Sequence, residues 1–101
     1  MNYRLSKDFA RSLERLNGKE LRSALAMLDE VGRAKTLGEI TDCRKLTGFR
    51  HVYRIREGSR RAFFTFHIEV VDDVVFFRYL TSRGQAYDKA METSLRKSDA
   101  E

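Results

Sequence analysis

The sequence has no proline, a single cysteine, only two histidines and no long apolar run. Each shortage removes a class of protein. Without a run of ~18 apolar residues, nothing here spans a bilayer as a helix. The lone Cys43 cannot close an internal disulfide, which fits a reducing compartment and a structural thiol. One cysteine and two separated histidines, with no spaced carboxylate set, make no metal-ligand cluster, so neither metal nor cofactor is expected. The absence of prolines, repeats and low-complexity linkers leaves no visible domain boundary. Residues 1–101 are therefore expected to fold as one domain. The opening Met1-Asn2-Tyr3-Arg4-Leu5 carries no apolar signal region, so a cytoplasmic location is the default expectation.

What the chain does have is enough apolar material for one core and an uneven charge. Hydrophobic residues make up 42% and aromatics 11%, and they fall in periodic runs that a disordered chain would lack. The net charge of +5 is concentrated. Residues 1–42 carry eight basic and seven acidic side chains, and residues 69–101 carry five basic and seven acidic. Between them, residues 43–68 set Arg44, Lys45, Arg50, Arg54, Arg56, Arg60 and Arg61 against Glu57 alone. A basic segment of this kind is the footprint of a polyanion binder. Its bias toward arginine suits planar, bidentate recognition of phosphate.

The patterning predicts an α+β fold. Residues 2–5 read as a short strand, with Ser6 as an N-cap and Asp8 in the first turn of a helix. Phe9, Leu13 and Leu16 form that helix's apolar stripe, and Asn17-Gly18 breaks it. Leu21, Leu25 and Leu28 then mark a second helix, widened by Ala24, Met27 and Val31 and ended by Gly32. The two helices form an antiparallel hairpin whose leucines belong to the core. Residues 33–50 read as a connection. After it the period changes to two, giving a three-strand antiparallel meander: Val52–Arg56, Arg61–Val70 and Val74–Leu80, with turns at Glu57-Gly58-Ser59 and Asp72-Asp73. A C-terminal helix is expected from Gln85 to Arg96, followed by a frayed tail from Lys97.

Alternation along the strands sorts the two faces. Arg54 and Arg56 share one side of the first meander strand, opposite Tyr53 and Ile55. In the next strand Arg61, Phe63, Thr65 and His67 share a side, while Ala62, Phe64, Phe66 and Ile68 turn toward the helix hairpin. Arginines clustered within one hairpin repel each other, which points to an anionic ligand on that face.

The series Arg44-Lys45-Leu46-Thr47-Gly48, Tyr53-Arg54-Ile55-Arg56-Glu57-Gly58, Arg61, an apolar strand, and Arg83 with Tyr87 resembles the RelE/ParE toxin superfamily over nearly the whole chain. The resemblance implies the toxin of a type II toxin–antitoxin system. RelE-like members cut mRNA in the ribosomal A site, and ParE-like members poison DNA gyrase. Arg83 and Tyr87 favour the RelE-like branch, while the gyrase inhibitor and a non-catalytic basic nucleic-acid-binding module stay open. The implied partners are a cognate antitoxin, mRNA and the ribosome, or DNA gyrase in the alternative. The antitoxin would seat on the arginine face or on the apolar side of the C-terminal helix, at Tyr87, Ala90 and Met91.

The implied cleavage is metal-independent, with the RNA 2′-OH attacking the adjacent phosphorus to leave a 2′,3′-cyclic phosphate and a 5′-OH. Arg61 and Arg83 are then the residues that stabilise charge on the phosphorane. Arg54 and Arg56, with Lys45 and Arg50 from the same basic segment, bind and position the RNA. Tyr87 is either the general base, its pKa of about 10 lowered by nearby arginines, or a ring that stacks on a base. His51 and His67 match neither a motif histidine nor an acid/base position, and both are expected to be structural.

Overall fold

The computed structural model describes residues 1–58, 63–82 and 88–100. Strand β1 (Asn2–Leu5) leads into helices α1 (Lys7–Glu14) and α2 (Gly18–Arg33). A 3-10 turn (Leu37–Glu39) and strand β2 (Cys43–Lys45) follow, then β3 (Val52–Gly58), β4 (Phe63–Val71), β5 (Val74–Ser82) and helix α3 (Lys89–Ala100). The fold is α+β with one mixed sheet in the order β1-β5-β4-β3-β2. Strand β1 runs parallel to β5, and every other pair is antiparallel. No helix among the described residues is long and apolar enough to cross a membrane.

Ser6 joins helix to sheet. Its hydroxyl accepts a hydrogen bond from the Phe9 amide at 3.0 Å, filling one of the unmet donors at a helix start. The same hydroxyl donates to the Arg78 carbonyl at 2.7 Å, and the Ser6 amide donates to the Phe77 carbonyl at 2.9 Å. That contact falls at an irregularity in β5: Ile68 lies opposite Phe77 but His67 opposite Tyr79, which makes Arg78 the extra residue of a bulge. The β4–β5 turn is Asp72-Asp73, both in the left-handed region at φ 52° and 64°, as a tight hairpin requires.

The helix hairpin covers one sheet face. Phe9 from α1 and Ala24, Met27, Leu28 and Val31 from α2 pack with Ile55, Phe66, Ile68, Val75, Phe77 and Leu80. Leu25, expected in the core, is 47% exposed. The buried stripe of α2 is Leu28 together with Ala24, Met27 and Val31, the three residues that widen the leucine stripe. Gly32 does not end the helix, which runs on to Arg33. A Cβ at Gly32 would meet the Tyr3 ring of β1 at 3.5 Å, an ordinary contact distance.

The stretch 33–50 is more than a connection. Cys43–Lys45 adds a fifth strand beside β3, and Ile40 and Phe49 are buried. The expected fraying of the tail is also corrected. Helix α3 starts four residues later than the pattern suggested, with the Asp88 side chain accepting from the Met91 amide at 2.8 Å, and continues to Ala100. It packs on the face opposite the helix hairpin, where Leu95 meets Val52 and Phe49, flanked by Leu46 and Tyr79. Its end is held by Asp99, whose carboxylate accepts from the Arg50 amide at 2.9 Å and the His51 amide at 2.7 Å.

Candidate nucleic-acid interface

Alternation along β3 places Val52, Arg54 and Arg56 on the face shared with α3, and Tyr53 and Ile55 on the face of the helix hairpin. The strand register then extends Arg54 into a row. Arg44 stands opposite Arg54, Arg54 opposite His67, and His67 opposite Tyr79. The row Arg44–Arg54–His67–Tyr79 crosses four strands, about 14 Å at the usual strand spacing. Helix α3 covers the Val52 end of this face.

The arginines feel one another. Burial lowers the pKa of Arg54 from its ordinary value, and the like charges of Arg56 and then Arg44 lower it further, opposed by Asp42. Its Nε is buried without a hydrogen-bond partner among the described residues. A guanidinium in this position gains from an anion, because a phosphate both supplies the missing acceptor and cancels the repulsion.

His67, only 4% exposed, sits between Arg54 and Tyr79 as a neutral imidazole. Burial first, and the Arg54 charge second, push its pKa down to about 4. Such a group is too weakly basic to take a proton near neutral pH, which agrees with the structural role expected for it. Its cost appears in acid. The native pKa lies below that of the unfolded chain, so the fold loses nothing above about pH 6.5. It is then destabilised as the unfolded state takes up a proton, by on the order of 3 kcal/mol once pH reaches about 4. Urea midpoints at pH 7, 5.5 and 4 should show this loss in the wild type and a smaller one in His67→Leu. Equal losses in both would assign the acid sensitivity to other groups.

The Asp99 pKa is lowered as well, but by favourable partners. Burial alone would raise its pKa, but the Arg50 and His51 amides and then the charges of His51 and Arg50 outweigh burial and hold it low. Cys43 is half-buried, and burial pushes its thiol up to about 11, as suits an inert structural residue. Among the described residues no group of His, Cys, Asp and Glu is arranged to hold a metal ion.

The expected site residues separate into three sets. Arg54 and Arg56 share a face, as alternation requires. Lys45 stands opposite Tyr53 and so turns toward the helix-hairpin face, away from Arg54. Arg50 lies in the loop before β3, where its guanidinium approaches the Asp99 carbonyl at 3.5 Å, at the end of α3 and outside the row. Arg61, Arg83 and Tyr87 lie outside the described residues. Two members of the row were missed as site residues. Arg44 belongs to a strand too short to show alternation, and Tyr79 follows the β5 bulge, which reverses the apparent face of everything after Phe77.

No family model matches the chain. It is 28% identical over 89 residues to Toxin RelE3 of Methanocaldococcus jannaschii, a match covering 87% of this chain and 97% of that protein. Its fold superposes on a chain from the crystal structure of the RelB-RelE antitoxin-toxin complex from Methanococcus jannaschii with a TM-score of 0.67 and 27% identity. That match covers 84% of this chain and 95% of the other.

Proposed function

The chain is a RelE-like protein, and from that premise we propose that it is the toxin of a type II toxin–antitoxin pair, acting in the cytoplasm as a ribosome-dependent mRNA endoribonuclease. The observation that supports this reading best is the gathering of Arg44, Arg54 and Arg56 on one sheet face, where burial first and the like charges of Arg56 and Arg44 second lower the Arg54 pKa. That face has the charge and shape to hold an RNA backbone.

In the proposed reaction a bond forms between the 2′-oxygen and phosphorus, and the bond from phosphorus to O5′ breaks. The 2′ proton leaves to a base, and the departing O5′ takes up a proton to become a 5′-OH. Arg54 and Arg56 hold the backbone. Arg61 and Arg83 meet the charge that builds on the phosphorane oxygens, an effect worth about 3 kcal/mol for a well-placed donor. Tyr87 serves as base or stacks on the neighbouring nucleobase. The ribosome is assigned the alignment of the codon, which accounts for much of the barrier in such reactions. A cognate antitoxin, of the kind present beside the structural relative, would silence the protein by covering the arginine face or the α3 side.

Induced expression tests the reading. Protein synthesis should stop within minutes, and mapped 5′-OH ends should fall inside translated codons. Whole mRNA with accumulating gyrase-dependent DNA breaks would put a gyrase inhibitor in its place. Neither effect, with RNA binding retained, would leave a binding module.

A further inference from the structure

The row of side chains does not stop at Tyr79. Beyond it, a cleft of about 220 Å³ opens between α1 and α3. Tyr79 and Leu80 line it from β5, Asp8 and Arg11 from α1, Arg15 from the C-cap of that helix, and Met91 from α3. It lies beside the stretch of β5 that β1 leaves uncovered, since β1 pairs only with Val74–Phe77. The cleft has three properties in combination. Tyr79, half-buried and propped against the Leu95 cluster, offers an aromatic surface in a fixed position. Arg11 and Arg15, one helical turn apart, are exposed and stand at the same wall. Asp8 supplies an acceptor beside them.

We propose that this cleft is a nucleobase subsite, in which one base of a single-stranded RNA stacks on Tyr79 while Arg11 and Arg15 hold its phosphate. The inference rests on the RNA-cleaving reading and deepens it, because it gives the strand a direction: from the arginines of β2 and β3, past the buried His67, to the α1 wall. The row's length of about 14 Å is one that a few extended nucleotides cover. A neutral His67 between the two ends suits such a track, since it adds no further charge to the repulsion within the row. Asp8 favours a base that presents an exocyclic amine, as carboxylates do with cytosine, and the aromatic surface tolerates any base.

The probe is a fluorescent 2′-O-methyl RNA hexanucleotide, whose blocked 2′ oxygens prevent the proposed cleavage. Each base in turn is replaced by an abasic residue, and affinity is read by anisotropy at low salt. For the wild type, one abasic position should cost about tenfold in affinity and the others much less. Tyr79→Leu should reduce that penalty to less than about twofold, while Tyr79→Phe keeps it. The exposed pair Arg11→Ala and Arg15→Ala should leave the abasic penalty in place and lower the slope of log affinity against log salt by about 0.7 for each phosphate no longer neutralised. The subsite is overturned if no position is sensitive, if Tyr79→Leu keeps the full penalty, or if the α1 variants leave the salt slope unchanged. Binding that depends on Arg54 but shows no abasic sensitivity removes the subsite alone. Failure of the wild type to bind, or equal binding by Arg54→Met, removes the RNA reading with it.

Discussion

Phe77→Ala should lower the stability of the protein by about 4 kcal/mol, a large part of the roughly 5–15 kcal/mol available to a domain of this size. Phe77 is fully buried at the point where three elements meet. Its ring lies 5.1 Å from Phe9 of α1, edge-on to Phe66 of β4 at 6.1 Å, and edge-on to Tyr3 of β1 at 5.5 Å. Tilted and edge-on pairs of this kind add about 0.5–1.5 kcal/mol each beyond simple burial. The site cannot collapse easily, because the Phe77 backbone is pinned. It pairs with Leu5 and Ile68 on its two sides, and its carbonyl receives the Ser6 amide. A cavity therefore persists, and its cost adds to the lost transfer energy. Leu25→Ala on the exposed side of α2 should change stability by less than about 0.5 kcal/mol. Urea unfolding with an unchanged m-value checks both. A loss below about 2 kcal/mol for Phe77→Ala would mean that the helix hairpin is not seated on the sheet as described.

The contrast between those two positions shows what a sequence of this kind reveals. Where one local interaction decides the structure, the residues announce it. Ser6 caps because its hydroxyl reaches the Phe9 amide, and Asp72-Asp73 turns because both residues tolerate positive φ. Where tertiary packing decides, spacing alone misleads. Leu21, Leu25 and Leu28 and the set Ala24, Met27, Leu28 and Val31 lie on neighbouring stripes of one helix, and only the position of the sheet selects the second. Gly32 resembles a terminator, yet the helix runs on through it to Arg33. The polar end of α3 resembles a frayed tail because Asp99 is paired with amides of the loop before β3, forty-eight and forty-nine residues away in sequence. The candidate site divides the same way. Alternation was enough to place Arg54 and Arg56 together, but Arg44 and Tyr79 entered through cross-strand register and a bulge, neither of which leaves a periodic trace.

Arg54→Met should abolish growth inhibition and weaken RNA binding by more than tenfold while making the protein more stable. The two effects have one cause. In the free protein the Arg54 guanidinium is held near Arg56 and Arg44, with its Nε buried and without a hydrogen-bond partner among the described residues, a combination that costs about 1 kcal/mol. Methionine keeps the apolar stem and removes both the charge and the orphan donor, so the midpoint of urea unfolding should rise by a corresponding amount. The same charge is what an RNA phosphate would neutralise, through charge-assisted hydrogen bonds worth about 1.5–3 kcal/mol. A site that stores repulsion until its ligand arrives is expected to trade stability for function in this direction. Lys45→Met is the control. It removes a positive charge one residue from Arg44 in sequence but on the opposite sheet face, and should leave toxicity nearly intact. If Lys45→Met and Arg54→Met weaken RNA binding equally, the protein responds to net charge and the face has no special role. If Arg54→Met loses stability instead of gaining it, the guanidinium is satisfied in the free protein and the repulsion argument fails. Loss of toxicity with a rise in stability is the result that a preformed anion site on this face requires.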